Sequence, residues 1–276
     1  MKSTKRRDFL TLSGIGAAAT LGGVIPETAL ADSRDKLTLG MASYTFRKFG
    51  LDETIAMTKR LGLEHIALKN FHLPLESSEA EIKAAAAKVR GEGLDLYGCG
   101  VVYMKTEDEV KRAFDYAGAA GMRIIIGVPA HGLLDLVNGK VGEYDIKLAI
   151  HNHGPGDETY PSPESVYGKI SDLDPRVGLC IDIGHTKRMG IDPSESLKRF
   201  FDRVHDIHIK DVSAASKEGH TVEIGRGVID IPRFLRTAIS MGYTGTLALE
   251  YEKDADDPLP GSAESAGYAR GVLSVL

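Results

Sequence analysis

From residue 37 onward, short apolar runs of β character alternate with stretches whose apolar positions recur every three to four residues. The β-like runs are LTLGMASYTF, EHIALKNF, LDLYGCGVVYM, MRIIIGVP, IKLAIHNHG, VGLCIDIGH, VHDIHIKDV and TLALEYE. Between them lie helical patterns such as LDETIAMTKRLG, SEAEIKAAAAKVRGEG, TEDEVKRAFDYAGAAG, PSESLKRFFDRV and DIPRFLRTAISMG. Thr106, with Glu109 three residues on, opens one helix as a capping box, and Asp192 before Pro193 opens another. Gly62, Gly93, Gly121 and Gly242 stand where helices should stop, because a left-handed closing turn suits glycine. The weakest pattern spans 133–144, where Asn138-Gly139 is expected to interrupt a helix. A last helix is expected over 262–276.

Eight strands alternating with helices, without a long linker, predict a single (β/α)8 TIM barrel of the α/β class. An open doubly wound sheet would carry a Gly-rich phosphate loop after its first strand, and SYTFRKFG is not one.

Residues 1–31 stand apart from this rhythm. They have a basic start, a weakly apolar stretch over 9–26 and a small-x-small ending at Ala29-Leu30-Ala31, the layout of an export signal. Arg6-Arg7-Asp8-Phe9-Leu10 is similar to the twin-arginine export motif. The Gly, Ala, Ser and Thr content is poor for a membrane span. The expected division is therefore an export signal over 1–31 and a barrel over 32–276, in a periplasmic or otherwise exported protein with no stable membrane span after cleavage. Cleavage leaves 276 − 31 = 245 residues, close to the roughly 250 that one such barrel takes.

Composition narrows the partners. A hydrophobic content of 42% supports one sizeable core, and a net charge of −5 without a basic run beyond the signal argues against a nucleic-acid surface. Cys99 and Cys180 are expected as two separate buried thiols. The surface leaves room for a homo-oligomer.

In a parallel barrel the chemistry gathers at the C-terminal ends of the strands. IKLAIHNHG ends on His151 and His153, which strand alternation turns to one side. The next three strands end on Asp182, His208 and Glu250, and the intervening Ile150, Ile181, Ile207 and Leu249 are all large and apolar. That parity sends the ligand-type side chains inward together. Taken singly, each has a bland reading as a hydrogen-bonded core histidine or a solvated carboxylate, and Lys210-Asp211 reads as a surface ion pair. Taken as a register-matched set, two imidazoles and two carboxylates suit one divalent ion such as Mn2+, Zn2+, Co2+, Fe2+ or Mg2+. His153, Lys210 and Glu252 lie further up the same faces, with His185 just past Gly184, and are expected to meet a substrate. Tyr44, Phe46, His72, Tyr103 and His131, at the ends of the first four strands, are expected to shape the pocket.

At these residues the chain resembles the xylose isomerase-like TIM barrels, the sugar isomerase/epimerase superfamily that includes inosose dehydratases and the AP endonuclease 2-like group. The resemblance runs over 37–276 and is strongest in IDIGH, in IHIKD followed by EIGRGVID, and in LALEYE. It implies Asp182, His208 and Glu250 as metal ligands. It also places His185 and Lys210 at substrate-touching positions and Glu223 and Arg226 on the loop after strand seven. One position departs: where the family has ENHG this chain has HNHG, so His151 stands in place of a glutamate. Imidazole still binds metal, so the fourth ligand is expected from His151, with His153 as the alternative. Imidazole does not stand in for the first of two carboxylates that shuttle a proton in the family's ketose epimerases.

The resemblance implies a metal-dependent sugar isomerase or epimerase acting through the enediolate of a keto-sugar or related polyol. Glu250 would be its base, with Glu252, His153 and Lys210 as alternatives, and His185, His72, Glu223, Arg226 and Glu252 would contact substrate. One alternative is a lyase or dehydratase of keto-sugars or 3-keto-glycosides using the same metal site. Another is a non-catalytic carbohydrate-binding barrel. Each takes a small-molecule carbohydrate as partner, and the acidic balance disfavours nuclease chemistry.

Overall fold

The computed structural model describes residues 37–276, so the export signal expected over 1–31 lies outside the described residues. Eight parallel strands close a barrel: β1 (Thr38–Ala42), β2 (His65–Leu68), β3 (Asp95–Met104), β4 (Ile124–Pro129), β5 (Lys147–His151), β6 (Val177–Asp182), β7 (Val204–Ile209) and β10 (Thr246–Leu249). β10 pairs with both β7 and β1, which closes the ring. Every run of β character in the sequence supplies one staple of it. β8 (Asp211–Val212) and β9 (Thr221–Val222) form a small antiparallel pair in the loop after β7.

The helices packed outside are α1 (Leu51–Arg60), α2 (Glu79–Gly91), α3 (Glu107–Ala120), α4 (Leu134–Tyr144), α5 (Pro163–Ile170), α6 (Ile183–Arg188), α7 (Pro193–Phe200), α8 (Ile231–Met241) and α9 (Leu259–Leu273). The expected caps form. Thr106 Oγ1 accepts from Glu109 N at 3.3 Å while the Glu109 carboxylate accepts from Thr106 N at 3.0 Å, and Asp192 Oδ1 accepts from Ser194 N at 2.8 Å. Gly121 and Gly242 close α3 and α8 with φ of +62° and +72°, the left-handed turn that a side chain would resist.

Two expectations are corrected. α4 runs unbroken through Asn138-Gly139, because Val137 and Val141, one turn apart, are fully buried and their packing outweighs weak local propensity. The final helix begins and ends three residues earlier than expected, entered through Pro258 and Pro260. The short α6 has no counterpart in the sequence reading. Among the described residues no helix is long and apolar enough to cross a membrane.

Register brings the site together. Asp182 on β6 lies directly opposite His208 on β7, and Ala248 of β10 lies opposite His208 on the other side. Ile150, Ile181 and Ile207 are fully buried on the alternate parity, packed into the hydrophobic core.

Candidate active site

Four side chains converge at the C-terminal mouth of the barrel: His151 from β5, Asp182 from β6, His208 from β7 and Glu250 just past β10, all buried. His151 Nε2 lies 3.0 Å from His208 Nδ1 and 3.4 Å from Asp182 Oδ2, and His208 Nδ1 lies 3.2 Å from Glu250 Oε2. Bonds of about 2.0–2.1 Å to a tetrahedral cation put its ligand atoms roughly 3.3 Å apart, which these separations approach.

The charges also fit. Lys210 Nζ is 2.9 Å from Asp182 Oδ2, 2.6 Å from Glu250 Oε2 and 2.6 Å from Glu252 Oε1. Three carboxylates thus share one ammonium, and two negative charges are left over where a divalent cation would balance them. Burial favours the neutral forms of Asp182 and Glu250. The His185 ring and Lys210 at Asp182, and Lys210 and the His208 ring at Glu250, hold both well below the usual carboxylate range. Burial pushes His151 well below the ordinary imidazole value, which leaves its ring neutral with a lone pair to offer. Donor atoms, spacing and charge together fit one divalent ion.

Neighbouring groups aim the donors. Asn152 Oδ1 accepts from Asp182 N at 3.0 Å and Asn152 Nδ2 donates to Thr186 Oγ1 at 3.2 Å. Asp182 Oδ1 accepts from His185 N at 2.7 Å and so caps α6, which leaves Oδ2 for the site. Below the cluster Asp206 faces His208 Nε2 at 3.8 Å and accepts from Tyr97 and Cys180, and burial pushes its carboxyl up to about 6. Cys99 and Cys180 are separate, free and buried.

A cavity of about 360 Å³ opens above the cluster. One wall is His151, His153, His185, Glu250 and Glu252, and β1, β2 and β3 lead into the other through Tyr44, Lys69, Phe71 and Tyr103. His153 Nε2 is 3.0 Å from the Tyr103 hydroxyl. Lys69 Nζ donates to Val101 O and lies 5.6 Å from the centre of the Tyr103 ring. Among the described residues no carboxylate pairs with Lys69, and burial lowers its pKa.

Several sequence expectations resolve differently. His72 sits behind the wall, its Nε2 at 3.0 Å from Ser43 O and its Nδ1 at 3.3 Å from Thr54 Oγ1, and Phe71 faces the cavity instead. Phe46 is a core residue and His131 bonds Thr159 O at 3.1 Å, both away from the cavity. Arg226 is spent on Glu264 at 2.5 and 2.7 Å on the surface. Glu223 accepts from Lys253 at 2.9 Å and from Tyr251 at 2.7 Å, which holds its carboxyl down at about 2 and keeps it out of the cavity. Lys210 is a clamp on three carboxylates, which hold it well above its ordinary pKa against burial, and this suits it poorly to carrying protons.

The surface-pair reading of Lys210-Asp211 also fails. Asp211 is fully buried and accepts from the backbone N–H groups of Val212, Gly225, Gly227 and Ile229, pinning the loop after β7 at its root. Sequence reasoning passed over Lys69 and Asn152. Each was visible as a polar residue one step beyond a buried strand, in ALKNF and HNHG.

The sequence profile of the family described as xylose isomerase-like TIM barrel matches residues 50–272. The rhizopine catabolism protein MocC of Rhizobium meliloti is 33% identical over 155 residues, which covers 50% of this chain and 45% of MocC. The inosose dehydratase of Bacillus licheniformis is 29% identical over 132 residues, 42% of this chain and 43% of that protein. The chain thus spans somewhat under half the length of these curated relatives. Among solved structures, the IolI protein with a bound zinc atom superposes with a TM-score of 0.72 at 17% identity, covering 87% of this chain and 99% of that one. The 3-keto-D-glucoside 4-epimerase YcjR from E. coli superposes with a TM-score of 0.70 at 15% identity, covering 86% and 100%. At such identities the likeness is one of fold.

Proposed function

Because the chain belongs to the xylose isomerase-like TIM barrel family, we propose that it is a divalent-metal-dependent enzyme that removes the proton α to the carbonyl of a keto-sugar or keto-cyclitol and then expels the β-substituent. The observation that carries this reading is the converging set of His151, Asp182, His208 and Glu250, of which His151 and Glu250 reach the cavity above. The names of the curated relatives support a small cyclic polyol as substrate, and the zinc in IolI supports a bound metal.

His151, Asp182, His208 and Glu250 would hold the divalent ion, which would supply Lewis-acid polarisation of the substrate carbonyl. Lys210 keeps Asp182 and Glu250 ionised and fixed in place. His153, a neutral ring anchored on the Tyr103 hydroxyl, takes the α-proton. Glu250, drawn toward Lys210 and His208, is a weaker base. Lys69, on the wall beyond, pairs with no carboxylate among the described residues and donates a proton to the leaving oxygen. The step balances: the C–H electrons become the new C=C bond, the β C–O bond breaks, and the departing oxygen leaves as water or an alcohol.

Elimination is favoured over epimerisation because the two-carboxylate shuttle lacks its first member, His151 standing there. Isomerisation or epimerisation is the second reading, favoured by Glu250 and His153 lining one cavity, where they could hand a proton between two faces of a substrate.

NMR of an inosose, D-tagatose and a 3-keto-glycoside in D2O with metal-loaded protein tests the proposal. Deuterium incorporation with release of water or aglycone is expected. Incorporation without release would establish the second reading. Sugar binding indifferent to chelator and without any exchange would establish a carbohydrate-binding barrel.

A further inference from the structure

A second cavity of about 350 Å³ opens beside the first and shares His185 and Glu252 with it. Its far side is built by Arg188 at the end of α6, by His220 and Thr221 at the β8–β9 hairpin, and by Lys253 after β10. The charges there are unequal in their engagements. Lys210 serves three carboxylates and Lys253 is bound to Glu223 at 2.9 Å. Arg188 pairs with no carboxylate among the described residues.

The guanidinium of Arg188 is only partly used. Nη1 faces His185 Nδ1 at 3.3 Å and Nη2 donates to Lys217 O at 3.0 Å. Among the described residues, two of the five N–H donors on the guanidinium are taken and the rest are spare, with Nε buried and without an acceptor. A planar cation with spare donors at a cavity wall is the group that recognises carboxylate and phosphate oxygens. The contact to His185 ties it mechanically to the first cavity.

We propose that this second cavity is a subsite for a negatively charged substituent of the substrate, a carboxylate or a phosphate, read by Arg188 across the shared wall from the reacting carbonyl. This rests on the reading of the first cavity as a sugar-transforming site. The substrate is then an acidic sugar derivative, long enough to cross the ridge formed by His185 and Glu252.

The test is calorimetric titration of the metal-loaded full chain with D-glucose, D-glucuronate and D-glucose 6-phosphate, which differ only at one carbon. At least one acid should bind about tenfold or more tightly than glucose, and added salt should erode the advantage. Whichever acid wins identifies carboxylate or phosphate. Arg188→Gln should abolish the preference, and Arg188→Lys, which keeps the charge without the fork, should restore part of it. An acid preference that survives in Arg188→Gln overturns the proposal, and so does the lack of any preference. An acid preference without deuterium exchange would leave the subsite standing and remove the proposed chemistry. Exchange on neutral sugars without an acid preference would do the reverse.

Discussion

His151 Nε2 faces His208 Nδ1 at 3.0 Å, with Asp182 and Glu250 oxygens 3.4 and 3.2 Å from one or the other ring. Two imidazole nitrogens at that distance need a proton or a cation between them, since two lone pairs would repel. The two rings are the half of the site that a carboxylate-only reading would miss.

Metal content follows from that geometry. His208→Ala should leave a folded barrel that loses most of its divalent ion, measured by elemental analysis after gel filtration. Full occupancy in that variant would remove His208 from the ligand set.

His153 and Lys69 should separate into two steps. His153→Gln should abolish deuterium exchange at the α-carbon. Lys69→Met should keep exchange but slow release of the β-substituent by about 10²-fold or more, with metal content unchanged. Loss of exchange in Lys69→Met would mean that the lysine acts before the carbon–oxygen bond breaks.

The departure at position 151 makes a directional prediction. In His151→Glu, an added negative charge weakens the metal as an electrophile and discourages negative charge on the enolate oxygen. Native turnover should therefore fall at matched metal occupancy. Turnover equal to or above that of the parent would show that a second carboxylate is what the reaction wants.

His205 should give the barrel an acid-sensitive stability. Burial, with Lys147 nearby, pushes its ring from an ordinary 6.5 down to about 4, and Nε2 lies 2.8 Å from Pro175 O. The unfolded chain binds this proton first, so stability is full above pH 6.5, falls between 6.5 and 4, and levels off below. Between pH 7 and pH 5 the loss should be on the order of 1 kcal/mol after allowing for solvent screening. Urea unfolding of His205→Gln, which keeps a donor for Pro175 O, should show a shallower acid decline than the parent.

Export is proposed from residues 1–31 alone. Protein recovered from the periplasm should begin near Asp32 by N-terminal sequencing. Soluble cytoplasmic protein that retains Met1 would contradict it.

The barrel was legible because short apolar runs alternate with amphipathic stretches and several helices carry their caps in the sequence. The positions of the four converging side chains were legible for a related reason. Asp182 and His151 end their strands, His208 lies within one, and Glu250 is a single step past another, so alternation still dictates their direction. That rule lapses where the chain leaves the sheet. His72 is four residues past β2 and turned away, while Lys69, one residue past it, faces the cavity. Glu223 and Arg226 lie in a loop whose path is set by Asp211, and no periodicity reaches them. α6 escaped notice because it is six residues long and starts at a residue already read as a strand end.

The two oxygens of Asp182 carry separate duties, one holding the first turn of α6 and the other facing His151 and Lys210. An evolutionary replacement at 182 must satisfy both at once. Asparagine would keep the cap and forfeit the charge, and glutamate would keep the charge while overreaching the cap. His151 holds nothing but its neighbours in the cluster, and its Nδ1 has no partner. Among the four converging residues, position 151 is thus the free parameter and position 182 the fixed one. A lineage built on this barrel can change its chemistry at 151 without first rebuilding its scaffold.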